Sequence, residues 1–202
     1  MTLRYDSRSR VSTYTQTWVS GAEPDFGAFE SIATTTLSTS AASVTFSSIP
    51  STYKHLQLRI FTRGNSSSGG YPTSAYLSIN SDTTDANYTN HYLNGDGASA
   101  TSGVAVSNRG NIFVTAGTNG SYSNTSTFTV TVLDFLDYAN TNKYKTIRAL
   151  NGGDFNGAGS IRLASMVWKN TAAITSISFD TDPTYLGNFQ QYSSFALYGI
   201  KG

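Results

Sequence analysis

Two imidazoles, 12 carboxylates and 29 serine hydroxyls, with no thiol, are the groups this chain offers for proton transfer, nucleophilic attack or metal binding. Hydrolysis through serine requires a base, a carboxylate that orients the base, and an oxyanion site. His55 and His91 are the only candidate bases of imidazole type. Among so many serines, some Ser will lie near some His by chance, and no G-x-S-x-G elbow frames one. His55 precedes the run Leu56-Gln57-Leu58-Arg59-Ile60 and His91 lies in Asn90-His91-Tyr92, so each reads as a strand-end or surface hydrogen-bonding residue.

The carboxylates are Asp6, Glu23, Asp25, Glu30, Asp82, Asp85, Asp96, Asp134, Asp137, Asp154, Asp180 and Asp182. A glycosidase places two of them across a sugar-sized cleft. Asp134 and Asp137 are the pair to consider, yet they sit where a strand turns, and Asp137 before Tyr138-Ala139-Asn140 reads as a turn or short-helix cap. Calcium needs several converging oxygens. Asp82 with Asp85, Asp154 with Asn156 and Asp180 with Asp182 are conceivable contributors, but none matches an EF-hand loop, and loop capping is the plainer role. The absence of cysteine excludes disulfides and thiolate metal sites. No catalytic residue, cofactor or metal is therefore expected.

Thirteen basic residues against 12 acidic ones give a formal charge of +1, and charged residues are only 12% of the chain. Lys143, Lys145 and Arg148 form a short basic patch, too small for a phosphate track, so no nucleic-acid partner is expected. Three glycan-acceptor triplets begin at Asn65, Asn87 and Asn124, as abundant Asn, Ser and Thr would produce by chance.

The elements that must position these groups are strands. With 29 Ser and 28 Thr, 13 Tyr and 11 Phe, the chain favours pleated surfaces. Period-2 stretches recur from Phe29 to Ile200 and no stretch shows a sustained helical period, which predicts 10 or 11 short antiparallel strands in two sheets or a barrel. In the strand from Ser126 to Leu133, Phe128, Val130 and Val132 face one way and Thr127, Thr129 and Thr131 the other, which predicts a Thr-lined outer face. Residues 64–70, 95–103 and 152–159 read as loops. So few charges leave strand edges that need cover. No apolar run is long enough to span a membrane, and the opening residues carry no signal-like stretch, so no membrane partner is expected.

Residues 1–28 differ from the rest. Arg4, Tyr5, Arg8, Arg10, Tyr14 and Trp18 alternate with polar residues before Gly21 to Gly27 breaks the pattern. Arg forks and aromatic anchors suit an arm that orders on docking, so 1–28 is expected to be an attachment arm and 29–202 the β-sandwich domain.

Several stretches of that domain resemble a recurring family of tailed-phage virion proteins: residues 29–35, 44–59 (Val44 to Arg59, with Ile49-Pro50-Ser51-Thr52-Tyr53-Lys54-His55-Leu56), 133–146 (Leu133-Asp134-Phe135-Leu136-Asp137-Tyr138) and 189–200 (Phe189 to Ile200). The resemblance implies an all-β, jelly-roll-like antiparallel β-sandwich displayed on a virion surface. It does not imply one agreed job; a non-enzymatic structural role is expected. The short chain and separate arm favour a capsid decoration or cement protein bound to the major capsid protein, with a tail-fibre or baseplate receptor-binding module as the alternative. A homotrimer is the expected state. Two loops are expected to give weak adhesion to host-surface glycans, through Asn65, Ser66 and Tyr71 in one and Ser99 and Ser102 in the other.

Overall fold

The computed structural model describes residues 28–65, 73–106, 109, 114–115, 126–154, 159–181 and 187–202. The strands are β1 (Phe29–Thr36), β2 (Ser43–Phe46), β3 (His55–Thr62), β4 (Thr73–Ile79), β5 (Tyr88–Gly95), β6 (Ala100–Val106), β7 (Val114–Thr115), β8 (Thr129–Phe135), β9 (Lys145–Asp154), β10 (Gly159–Trp168), β11 (Ile177–Thr181) and β12 (Ser194–Ile200). One 3-10 turn, Asp85–Asn87, precedes β5. Twelve strands exceed the expected number because the stretch from Ser102 to Thr115 contributes to two, β6 and the short β7.

All pairings are antiparallel, in an eight-stranded sheet of order β1-β12-β3-β8-β9-β10-β5-β6 and a four-stranded sheet of order β2-β11-β4-β7. Consecutive strands alternate between the sheets except at β5–β6, β8–β9 and β9–β10. The run β8-β9-β10 and the β5–β6 hairpin stay in the large sheet and widen it beyond β8.

The protein is thus an all-β sandwich. Leu56, Leu58 and Ile60 of β3, Leu133 and Phe135 of β8, and Phe195 and Leu197 of β12 turn inward against Leu77, Ile79, Ile177 and Phe179 of the small sheet. The Phe179 and Phe195 rings join the sheets at 6.0 Å between centroids, and Phe189 meets Phe195 edge-on at 5.3 Å. Offset and edge-on contacts suit the ring quadrupoles.

Strand β8 reverses the expected face. Thr131 is 1% exposed and Thr129 is equally buried, whereas Val130 is 53% exposed. A strand's side chains alternate with period 2, so the inward turn of Leu133 and Phe135 carries both threonines in and both valines out. Thr129 recovers a hydrogen bond inside, its hydroxyl donating to the Thr62 carbonyl at 3.0 Å.

Two expected loops are mostly strand. Gly152, Gly153 and Asp154 pair with Ile161, Ser160 and Gly159 as the end of β9. Gly95 closes β5 and residues 100–103 open β6, leaving a four-residue turn, 96–99. That turn is fixed by Asp96, whose carboxylate accepts the Ala98 and Ser99 amides at 2.9 and 2.7 Å. These amides hold the carboxyl below its usual pKa.

Candidate binding face on the large sheet

Register brings scattered residues into rows on the outer face of the large sheet. Crossing from β6 to β12, the paired positions read Val104, His91, Ser165, Arg148, Asp134, Gln57 and Tyr198. Much of this row is tied together. Arg148 donates to Asp134 at 2.7 Å, and Gln57 Nε2 donates to the other Asp134 oxygen at 3.0 Å. The Gln57 carbonyl in turn accepts from Arg59 Nε at 2.9 Å, and the Arg59 guanidinium lies 4.9 Å from the Tyr198 ring centroid.

Two apolar rows lie beside it, one strand repeat further along. The first pairs Val132, Leu150, Leu163 and Leu93, and the second Phe61 with Val130, then Ile161 across Gly152. On β6 the first apolar row ends at Ser102, opposite Leu93, whereas Val104 belongs to the polar row and Val106, opposite Thr89, lies beyond it. Between the polar row and the first apolar row opens a depression of about 660 Å³. Val104, His91, Ser165 and Arg148 stand on one side of it, and Leu93, Leu163 and Ser102 on the other.

Among the described residues, this row does not assemble a Ser-His-carboxylate triad. His91 stands directly opposite Ser165, the closest approach to a Ser-His pair that the register offers, but its other cross-strand neighbour is Val104. The carboxylate in the same row, Asp134, is two strands beyond Ser165 and is held by Arg148 and Gln57. Nothing there orients the imidazole as a triad requires. His55 is also occupied, its Nδ1 accepting the Asp137 amide at 2.9 Å.

Asp134 and Asp137 do not form a catalytic pair. Asp137 sits at φ +47° in the turn after β8, a conformation Asp tolerates better than most residues. Its carboxylate is bound by Lys143 and, at 3.0 Å, by Lys54. Those bonds pull its pKa down to about 2, so it is no proton donor at neutral pH.

The carboxylates considered for calcium are likewise engaged. Asp82 accepts from Trp168 Nε1 and Asn87 Nδ2, each at 2.8 Å. Asp85 and Asp180 flank Arg109, at 3.4 and 3.5 Å. Among the described residues no cluster of three His, Cys, Asp or Glu exists. Asn156 and Asp182 lie outside the described residues.

The basic patch disperses. Lys143 pairs with Asp137 and Arg148 with Asp134, while Lys145 is buried. The Lys145 ammonium donates to three main-chain carbonyls: Lys143 at 3.0 Å, Thr171 at 2.9 Å, and Asn140. Burial, and then the neighbouring Lys143 charge, lower its pKa. A lysine with three donors thus fastens the turn after β8 to the segment after β10, where sequence suggested a surface charge.

The residues expected to adhere to glycan do not gather. Asn65 accepts the Asn188 amide at 2.6 Å at the end of β3. Ser99 closes the Asp96 turn, and Ser102 lies within β6, paired with Leu93. Asn65 is thus separated from the β5–β6 hairpin by β8, β9 and β10. Ser66 and Tyr71, and the arm residues Arg4, Tyr5, Arg8, Arg10, Tyr14 and Trp18, lie outside the described residues.

The sequence reading missed the Asp134–Arg148–Gln57 row and the apolar rows beside it. Strand parity was available in the sequence; the register that aligns seven strands was not. No helix of the described residues is long and apolar enough to cross a membrane. Set against known proteins, the chain matches no family model, no curated protein and no solved structure.

Proposed function

We propose that this chain is a non-enzymatic structural protein of a tailed-phage virion, acting on the capsid surface as a decoration or cement protein. The observation that carries a docking role is the outer face of the large sheet. Six large apolar side chains in its two apolar rows, Phe61, Leu93, Val130, Leu150, Ile161 and Leu163, keep between 45% and 61% of their surface exposed. Together they offer on the order of 500 Å², within the roughly 300–600 Å² of the largest patch on a typical monomer, a patch that is often functional.

The edges of that sheet agree with this reading. β1 carries Glu30 and a bulge between Ser31 and Ala33, devices that discourage pairing, whereas β6 at the other edge has no charge and no proline. The resemblance in residues 29–200 supplies the virion context. A jelly-roll identity is part of the proposal, supported by the alternation of β1 to β4, then β7 and β8, then β11 and β12 between the sheets.

A tail-located receptor-binding module is the second reading, favoured by the depression lined by His91, Arg148 and Ser165. Its apolar floor and polar wall suit a sugar. Reconstruction of the intact particle decides between the two. Density at many icosahedral positions is the expected result; density at the tail alone favours the second reading, and its absence from purified particles defeats both.

A further inference from the structure

We propose that a second copy of this chain docks on the outer face of the large sheet, face to face about a twofold axis. The inference rests on reading that face as a docking surface and names its occupant.

Three observations point to self-association. The first is area. The roughly 500 Å² of apolar side chain is close to the apolar share, about 65%, of the roughly 800 Å² that each partner contributes to a standard stable interface.

The second is the lack of a matching surface elsewhere. Among the described residues, the other exposed large hydrophobes are Val104 and Val106 at the β6 edge, Phe29, Leu136, Tyr144 and Tyr192. Phe29 opens β1, Leu136 and Tyr144 flank the turn after β8, and Tyr192 lies in the turn before β12. None extends an apolar face. The surface that matches two parallel apolar rows is therefore another pair of such rows, and a patch that meets itself generates a twofold axis.

The third is the placement of charge. Arg148 and Asp134 neutralise one another in a row to one side of the apolar rows, and Arg59 folds back onto Gln57 and Tyr198. A twofold lying between the sheets and running across the strands, midway between the two apolar rows, sets Leu150 and Leu163 of each copy against the Val130–Ile161 row of the other. It sends the two Arg148–Asp134 rows to opposite margins. Like charges do not meet, and the contact acquires an apolar centre with a polar rim. Two sheets stacked in this way stand about 10 Å apart.

The test uses the full chain, by sedimentation velocity over a wide concentration range. The parent should run as a dimer. Leu150→Lys combined with Leu163→Lys should weaken association at least tenfold, with an unchanged β spectrum because both side chains are about half exposed. The chain has no cysteine, so Leu150→Cys provides a second readout: its maleimide labelling should be slow in concentrated protein and fast on dilution. A monomer at all concentrations, a trimer, or a dimer indifferent to the lysines would overturn the proposal. Protection of Leu150→Cys in a monomeric chain would also overturn it, by showing that the chain covers its own face. A monomer whose lysine variant loses occupancy on particles depleted of this protein would reject self-docking yet keep the virion reading.

Discussion

Replacing Lys145 by methionine should destabilise the domain by about 3 kcal/mol, a large share of the roughly 5–15 kcal/mol that holds a typical domain together. The side chain is 1% exposed and its three N–H groups reach the carbonyls of Asn140, Lys143 and Thr171. Methionine keeps an unbranched stem of similar length, so the packing of the methylenes against the core is largely retained and the loss falls on the polar end. A hydrogen bond from a charged donor contributes about 1.5–3 kcal/mol, and an orphaned buried partner costs about 1–3 kcal/mol. These carbonyls belong to turns that water can partly reach, which favours the lower figure for each. Removing the ammonium also relieves the desolvation that depresses its pKa. Three contributions of about 1 kcal/mol remain.

For a chain of this size 1 kcal/mol moves Tm by roughly 2–4 °C, so the midpoint should fall by roughly 6–12 °C. Urea unfolding with an unchanged m-value gives the free energy directly. Lys143→Met is the control: that side chain is more than half exposed and makes an ion pair with Asp137, so its loss should cost less than about 1 kcal/mol. Equal effects of the two substitutions, or a loss below about 1 kcal/mol at Lys145, would refute the claim that a buried ammonium clamps the two segments.

Three further outcomes follow from individual contacts. A Cβ at residue 199 would overlap the Tyr53 ring near its attachment, while one at residue 103 meets the Tyr92 hydroxyl at 2.5 Å, the movable end of a side chain. Gly199→Ala should therefore cost about 1–3 kcal/mol by thermal unfolding, and Gly103→Ala less. The Thr131 hydroxyl is buried without a hydrogen-bond partner, so Thr131→Val should stabilise by about 1 kcal/mol in urea titration. In acid, Asp137 and Asp82 act together. Hydrogen bonds from Lys143 and Lys54 depress Asp137 to about 2; burial works to raise Asp82, but bonds from Trp168, Asn87 and Thr84 outweigh it. Both folded-state values lie below the unfolded value of about 3.9, so their stabilisation is present above roughly pH 4 and is lost as pH falls toward 2. A Tm profile from pH 5 to pH 2 should decline over that window, and Asp82→Asn should flatten it.

Much of the fold was legible because alternation is a local property. Leu56, Leu58 and Ile60 have no helical alternative as a core face, and Phe195, Leu197 and Gly199 were equally plain on β12. The run from Thr127 to Val132 misled for a physical reason: valine is the more apolar of the two alternating types, and the residues that decide the parity, Leu133 and Phe135, come at its end. The glycines at 152 and 153 also misled. They read as loop, but Ile161 and Ser160 oppose them in the β9–β10 ladder, where glycine keeps its backbone pairing. Lys145 was the least legible residue. Its neighbours Lys143 and Arg148 are exposed cations, and only its inward parity, shared with Ile147 and Ala149, hinted at burial. The carbonyl partners come from Thr171 as well as from its own turn, 26 residues away.

The orientation of β8 bears on how the large sheet is used. Turning Leu133 and Phe135 inward puts Thr129 beside buried Thr62 and Thr131 beside buried Asn151, so the end of the core beneath β3, β8 and β9 is polar. Above those threonines, on the solvent side, stand Val130 and Val132, and beyond them Leu150, Leu163 and Ile161. Folding of one chain gains little from hydrophobes left half exposed, at about 25 cal/mol for each Å² removed from water. A solvent-facing sheet ordinarily alternates apolar residues inward with polar residues outward. This one does the reverse at one end and follows the rule a single row away, where Arg148, Asp134 and Gln57 stand outward. The change of character between adjacent rows limits the apolar area to one patch with a polar margin. Such a boundary is the division that the proposed interface, with a dry centre and a wetted rim, requires.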